Sequence, residues 1–336
     1  MKKDIVGIDL FKLIASVLVV IIHCIGYYFG VSGRLFVRNI CGMAVPFFFI
    51  TSGYFFGLGL EKNKSSRKYY FINYEKKLVK MYIAWSMVGI PFMVKTYYNM
   101  YGSNFKYIFL LMIRNVFFSG TFGIYWYILA MIGASVLIYL FVIKNKLKLM
   151  YILSVIFFIF GILYVGFQGA LCKNIIFYYL LKLTWIVFAS ERNFLMVGWF
   201  YMCIGYYIAT HKININLLQS FMMFVIFTTL KFGETYVNSL RFLEGNEICI
   251  FQSLQAVGFF FIALNLNLEF MKKYSKTMRE LSSTIYFTHF LFIDILNPTQ
   301  IGNTLITFIE VILLCISFYF ILKKINNKRL NIFINA

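Results

Sequence analysis

In the segment DLFKLIASVLVVIIHC (residues 9–24), a carboxylate, a lysine, a serine and a histidine interrupt a run otherwise apolar enough for a membrane. A helix turns about 100° per residue, so Lys12 and His23 fall about 20° apart, with Ser16 and Asp9 within about 40° on the same side. The four make one stripe along about 21 Å of helix. Charges inside a bilayer cost several kcal/mol, so such a stripe faces protein or a water-filled cavity. Asp9 and Lys12, three residues apart, are placed to pair with each other, and the lysine can snorkel. Neutral imidazole is cheap to bury and titrates near working pH, which suits general-base, acyl-carrier or proton-relay chemistry at His23. A packing role, with the imidazole satisfied by a neighbouring hydroxyl, explains the periodicity equally well.

His289 shifts that balance towards chemistry. It lies in the apolar stretch LSSTIYFTHFLFI, where Ser282, Tyr286 and His289 share one helical face. The remaining histidine, His211, adjoins Lys212 at a helix end and reads as solvated. No HxxxH and no nearby Cys or Asp pair supplies a metal set, so no metal is expected. The six cysteines (24, 41, 172, 203, 249 and 315) lack CxxC spacing and read as small buried hydrophobes. Cys24 and Cys41 are the pair placed to meet, near the outer ends of two neighbouring helices.

The elements that position these groups are membrane helices. The 336 residues are 61% hydrophobic and 13% charged with mean hydropathy +0.79. A soluble domain is nearer half apolar and a quarter charged, so the chain reads as an all-α, polytopic integral membrane protein with the lipid bilayer as its first partner. Apolar spans fall at 7–29, 40–59, 79–99, 123–143, 149–167, 195–210, 215–232, 248–268, 282–297 and 303–322, about ten transmembrane helices. Stretches 105–118 and 175–189 are shorter and charge-interrupted, and read as re-entrant or interfacial. The first span lacks a small-residue cleavage site and reads as a retained helix.

A net charge of +20 would suit nucleic acid only if it formed a continuous basic face. Here the basic residues sit in clusters between spans, so nucleic acid is not an expected partner. With the N-terminus inside, roughly two-thirds of the 32 Lys and Arg fall on the inner side: Lys2 and Lys3, Lys62 to Lys80, Lys144 to Lys148, Lys212, Lys272 to Arg279, and Lys323 to Arg329. Lys231 and Arg241 count among the outer ones. Both termini are therefore expected in the cytoplasm. Residues 1–336 read as a single membrane-embedded domain with no appended soluble domain. Abundant Ile, Lys, Asn and Phe suggest a bacterium, hence its cytoplasmic membrane.

Several of these segments, taken in order, resemble acyltransferase family 3. Lys12-x10-His23 is similar to that family's first-helix motif, a basic residue ten positions before a histidine, with Asp9 matching the acidic residue that precedes it. VPFFFITSGYFF (45–56), with Ser52 and Gly53, resembles its aromatic second helix. YEKKLVKMYIAW, IYWYILA (124–130), the Arg-Asn of ERNFLMVGWFYMCIGYYI (191–208) and the late Tyr286-x-x-His289 follow in family order, from residue 4 to about 323. Lys12 stands where the family usually has arginine, and lysine cannot form the same bidentate fork.

The resemblance implies a membrane O-acyltransferase that moves an acyl group, commonly acetyl from acetyl-CoA, to a hydroxyl of a cell-surface polysaccharide, glycolipid or other sugar-containing acceptor. His23 would be the base or acyl carrier, with Asp9 holding Lys12 in place. Lys12, Lys76, Lys77 and Lys80 would contact acyl-CoA phosphates. Ser52, Trp126, Arg192, Tyr286 and His289 would line the acceptor side. Two other readings stay open: a stand-alone relative of the membrane domain of the vancomycin-resistance serine racemase, and a proton-coupled transporter, for which paired intramembrane histidines are also expected.

Overall fold

The computed structural model describes residues 5–25, 30–166, 171–240, 249–296, 305–325, 327 and 330–334. Lys2, Lys3, Arg241, Lys328 and Arg329, which entered the charge count, lie outside them. Regular structure among the described residues is entirely helical. The helices are α1 (Val6–Cys24), α2 (Gly30–Cys41), α3 (Ala44–Lys62), α4 (Arg67–Tyr101), α5 (Phe105–Arg114), α6 (Trp126–Ile143), α7 (Leu147–Gly166), α8 (Ile175–Phe188), α9 (Trp199–His211), α10 (Leu217–Leu240), α11 (Ile250–Asn265), α12 (Ser275–Leu296) and α13 (Leu305–Ile325).

Seven helical stretches among these residues are long and apolar enough to cross a membrane, or eight if the pair α11–α12, bent by 101°, makes one more. The window expected at 195–210 folds as five residues of π-helix and the 13-residue α9. Its first turn is set by the buried Asn193, whose side chain accepts from the Leu195 and Met196 N–H groups at 3.0 Å each. The shorter stretches fold as α5 and α8, below spanning length.

Three expectations change. Residues 30–39, left between the first two expected spans, are helical within α2 (Gly30–Cys41). The basic stretch 60–80, expected as a connection, is helical for most of its length, because α4 starts at Arg67 and runs 35 residues without a break at Pro91. That is about 52 Å of helix against about 30 Å of hydrocarbon. Lys231 is not an outer-loop charge: it is 1% exposed, and its Nζ donates to the carbonyls of Arg38 (3.0 Å) and Asn39 (3.1 Å). A buried ammonium thus caps the last turn of α2.

The chain divides into two compact units. The first comprises residues 1–51, 212–242 and 249–336, with α1 at its centre against α2, α11, α12 and α13. Val20 and Cys24 of α1, Ile285 and Ile293 of α12, and Val311 and Cys315 of α13 form one buried cluster. At the other end of α1, a Cβ on Gly7 would strike the Ala263 and Leu266 carbonyls, so glycine permits the close approach of α11. Glu234 of α10 accepts from the Ile250 and Phe251 N–H groups at 2.9 and 3.1 Å, capping the start of α11.

The second unit comprises residues 52–211 and 243–248. The Gly53 Cα meets the Met202 backbone of α9 so closely that a Cβ would collide with the carbonyl. Phe158 stacks on Phe200 at 4.0 Å between α7 and α9. α4 and α6 run antiparallel, with Phe71 stacked on Tyr139 at 4.0 Å, Glu75 against Ser135, and Trp85 5.9 Å from Tyr125.

Candidate active site

The polar stripe of α1 meets the polar face of α12, and the two helices run parallel. At one end the Asp9 carboxylate, 3% exposed, accepts from Arg279 Nη1 at 2.9 Å and from the Ser275 hydroxyl. Ser275 and Arg279 stand one turn apart on α12, so a single oxygen of Asp9 reads both. A carboxylate this buried needs a partner charge. The counter-charge comes from a residue 270 positions away, which spacing along one helix could not show.

One turn on, the Ser282 hydroxyl donates to the Lys12 backbone carbonyl at 2.8 Å, while the Lys12 side chain is half-buried. Ser16 turns away from any site and donates to the Leu13 carbonyl of its own helix at 2.7 Å. At the far end, half-buried His23 lies against fully buried His289, ring centroids 5.5 Å apart and planes 33° from each other. Phe290 meets the His23 ring edge-on at 5.3 Å. Tyr286 lies 6.1 Å from His289 and packs edge-on against Phe48 of α3 at 5.3 Å. The structure therefore gathers Asp9, Lys12, His23, Tyr286 and His289 on one seam, charged at one end and imidazole at the other.

The other six sequence candidates lie in the second unit. Ser52 Oγ is 3.4 Å from the Tyr127 hydroxyl. Trp126 opens α6 and is half-buried. Arg192 Nε lies 3.7 Å from its neighbour Glu191, with its side chain 42% exposed. Lys76, Lys77 and Lys80 are exposed along one side of α4. Their level is informative. Glu75, next to them, is bonded to Ser135 near the middle of α6, about 12 Å of helix from that span's end at Ile143. The lysines therefore sit level with the interior of an apolar span, and charges at that depth line a cavity or protein.

A second polar cluster had little signature in the sequence. Glu280 of α12 accepts from the Tyr319 hydroxyl at 3.0 Å and pairs with Lys323 at 3.5 Å and Lys276 at 3.7 Å, while Lys323 Nζ donates to Tyr319 at 2.6 Å. The only advance signal was Glu280 at the end of the basic run 272–279. His211 is exposed at its helix end, as expected, its ring tilted 30° against Tyr207 at 4.0 Å. Cys24 and Cys41 are both free thiols, so the pair does not form a disulfide. Among the described residues, no group of three or more His, Cys, Asp or Glu is placed to hold a metal.

A family model described as an acyltransferase domain, that of acyltransferase family 3, matches residues 5–322. A protein named amino-acid racemase from Enterococcus faecalis is 30% identical over 237 residues, covering 68% of this chain and 31% of that protein. A serine/alanine racemase from Enterococcus gallinarum is 26% identical over 327 residues, covering 93% of this chain and 45% of its own length. The chain thus spans less than half the length of either racemase. No solved structure matches it.

Proposed function

The chain belongs to acyltransferase family 3, and on that premise we propose that it is a membrane acyltransferase that moves an acetyl group from cytoplasmic acetyl-CoA to a hydroxyl of a cell-surface polysaccharide or glycolipid precursor. The α1–α12 seam is the observation that carries this reading. His23 serves there as the general base for the acceptor hydroxyl or as a transient acyl carrier. Asp9, fixed by Arg279 and Ser275, anchors the end of α1 from which Lys12 reaches donor phosphate. Lys76, Lys77 and Lys80 provide further phosphate contacts, and their level beside α6 favours this over a role as topology anchors. Within the first unit Tyr286 and His289 stand on the acceptor side of His23; within the second, Ser52, Trp126 and Arg192 are the groups we assign to acceptor contact.

We read the topology as ten crossings with both termini in the cytoplasm of a bacterium, and residues 1–336 as one catalytic domain. Parallel α1 and α12 require an odd number of crossings between them, and the seven intervening spans drawn from the charge pattern meet that requirement. The family match across both compact units supports one domain.

The racemase relatives favour a second reading, in which the chain handles or transports an amino acid. Transfer of labelled acetyl from acetyl-CoA to envelope glycan by detergent-solubilised protein decides between the two. Turnover there supports the transferase; a transporter shows none without a sealed membrane.

A further inference from the structure

The imidazole end of the seam holds a buried atom that packing leaves unexplained. His289 Nδ1 lies 3.0 Å from the Ile285 carbonyl one turn back on α12. A carbonyl oxygen only accepts, so Nδ1 carries a proton, and in the neutral ring Nε2 is a bare lone-pair acceptor. That Nε2 is buried and has no hydrogen-bond partner among the described residues. Buried acceptors are normally satisfied, so an exception calls for a partner. Around it, Tyr286 and Phe290 stand roughly edge-on to the ring at 6.1 and 6.3 Å. His23 is the neighbouring ring with an N–H to offer, and it is nearer than either of these, at 5.5 Å.

We propose that His289 is the positioning residue of the transfer reaction: a turn of the His23 ring, 5.5 Å away, brings its imidazole N–H onto the bare Nε2. That bond fixes the tautomer and angle of His23, so that its other nitrogen presents a lone pair to the acceptor hydroxyl. The inference rests on the reading of His23 as the base and adds the group that aims it. In the step, the His23 lone pair takes the hydroxyl proton as the hydroxyl oxygen bonds to the acyl carbon and the thioester C–S bond breaks. The His23 imidazolium then returns that proton to the departing thiolate. His289 gains and loses no proton; its bond tightens while His23 is cationic, the role a third group plays behind a catalytic base.

The test compares His289→Leu and His289→Gln with wild type as full-length detergent-solubilised proteins, using labelled acetyl-CoA and envelope glycan. His289→Leu should lower kcat about 100-fold with KM for acetyl-CoA unchanged. His289→Gln, whose side-chain carbonyl can accept in place of Nε2, should recover at least about tenfold of that loss. Wild-type kcat in His289→Leu, or no advantage of Gln over Leu, overturns the proposal. Ring-15N-histidine NMR of the wild type needs no folded variant, and with three histidines in the chain assignment is direct. It should show His289 as the Nδ1–H tautomer coupled through an N–H···N bond to His23; the Nε2–H tautomer overturns the proposal. His23→Ala tests the premise separately. Activity retained there sinks the base assignment and the proposal together, whereas inactive His23→Ala beside fully active His289→Leu sinks the positioning role alone.

Discussion

Asp9 and Arg279 form a 2.9 Å ion pair between two parallel helices, with Ser275 donating to the same carboxylate oxygen. Arg279 keeps about a third of its side chain exposed while Asp9 is buried, so the pair is asymmetric: losing the arginine takes from a buried carboxylate its 2.9 Å ion partner. Arg279→Leu should destabilise the protein by roughly 2–4 kcal/mol, below the range for fully buried pairs because solvent screens the guanidinium. Adding Asp9→Asn should recover part of the loss. Thermal denaturation in detergent, followed through the tryptophans, checks both; equal midpoints for the single and double variants would show that the pair is not what holds the seam.

Removing the imidazole of His23 should end transfer while leaving the fold in place. A positioned base contributes about 10²–10⁴ in rate, so His23→Ala should fall by at least the lower figure. Expression level and the acetyl content of the purified surface glycan are the readouts, and a full acetyl content would assign the proton elsewhere. Lys12→Arg, by contrast, should keep activity if its partner is a phosphate.

Lys76, Lys77 and Lys80 should act on binding more than on chemistry. Changing all three to Gln should raise KM for acetyl-CoA about tenfold for each lysine–phosphate bond removed, with kcat nearly constant. The wild-type KM should also rise with salt, since exposed charges are screened. An unchanged KM would return these residues to the role of topology anchors.

Two glycines offer a matched pair. A Cβ on Gly53 collides with the Met202 backbone, whereas one on Gly233 meets nothing within 4 Å. Gly53→Ala should therefore push α3 from α9 and cost about 1–3 kcal/mol or more. Gly233→Ala should be neutral or gain about 0.5–1 kcal/mol from helix propensity. Comparing their melting temperatures tests the close approach, and equal behaviour would argue against it.

What could be read beforehand was whatever depends on a single helix. Apolar windows located most of the long helices, and 100° per residue placed Asp9, Lys12 and His23 on one stripe and Ser282, Tyr286 and His289 on another. The meeting of the two stripes was not readable, because helical period says which residues share a face and not which faces meet. Polarity misled in two places for one reason. Arg67 to Lys80 and Gly30 to Cys41 are helical although charged, since backbone hydrogen bonds make a helix and apolarity only says where it is buried. Lys231 misled differently: a lysine near a helix end usually reaches water, and this one found carbonyls.

The 270 residues between Asp9 and Arg279 also set a clock. At about 5–20 residues per second of translation, α1 waits roughly 15–50 s before its counter-charge leaves the ribosome. During that interval the carboxylate has neither Ser275 nor Arg279, so α1 gains its final seat only when α12 arrives. The His23 imidazole meets His289 only at the same late event. A chain stalled before α12 thus has most of its helices and an unfilled α1 seam, and the uncovered Asp9 face is what a quality-control protease would find.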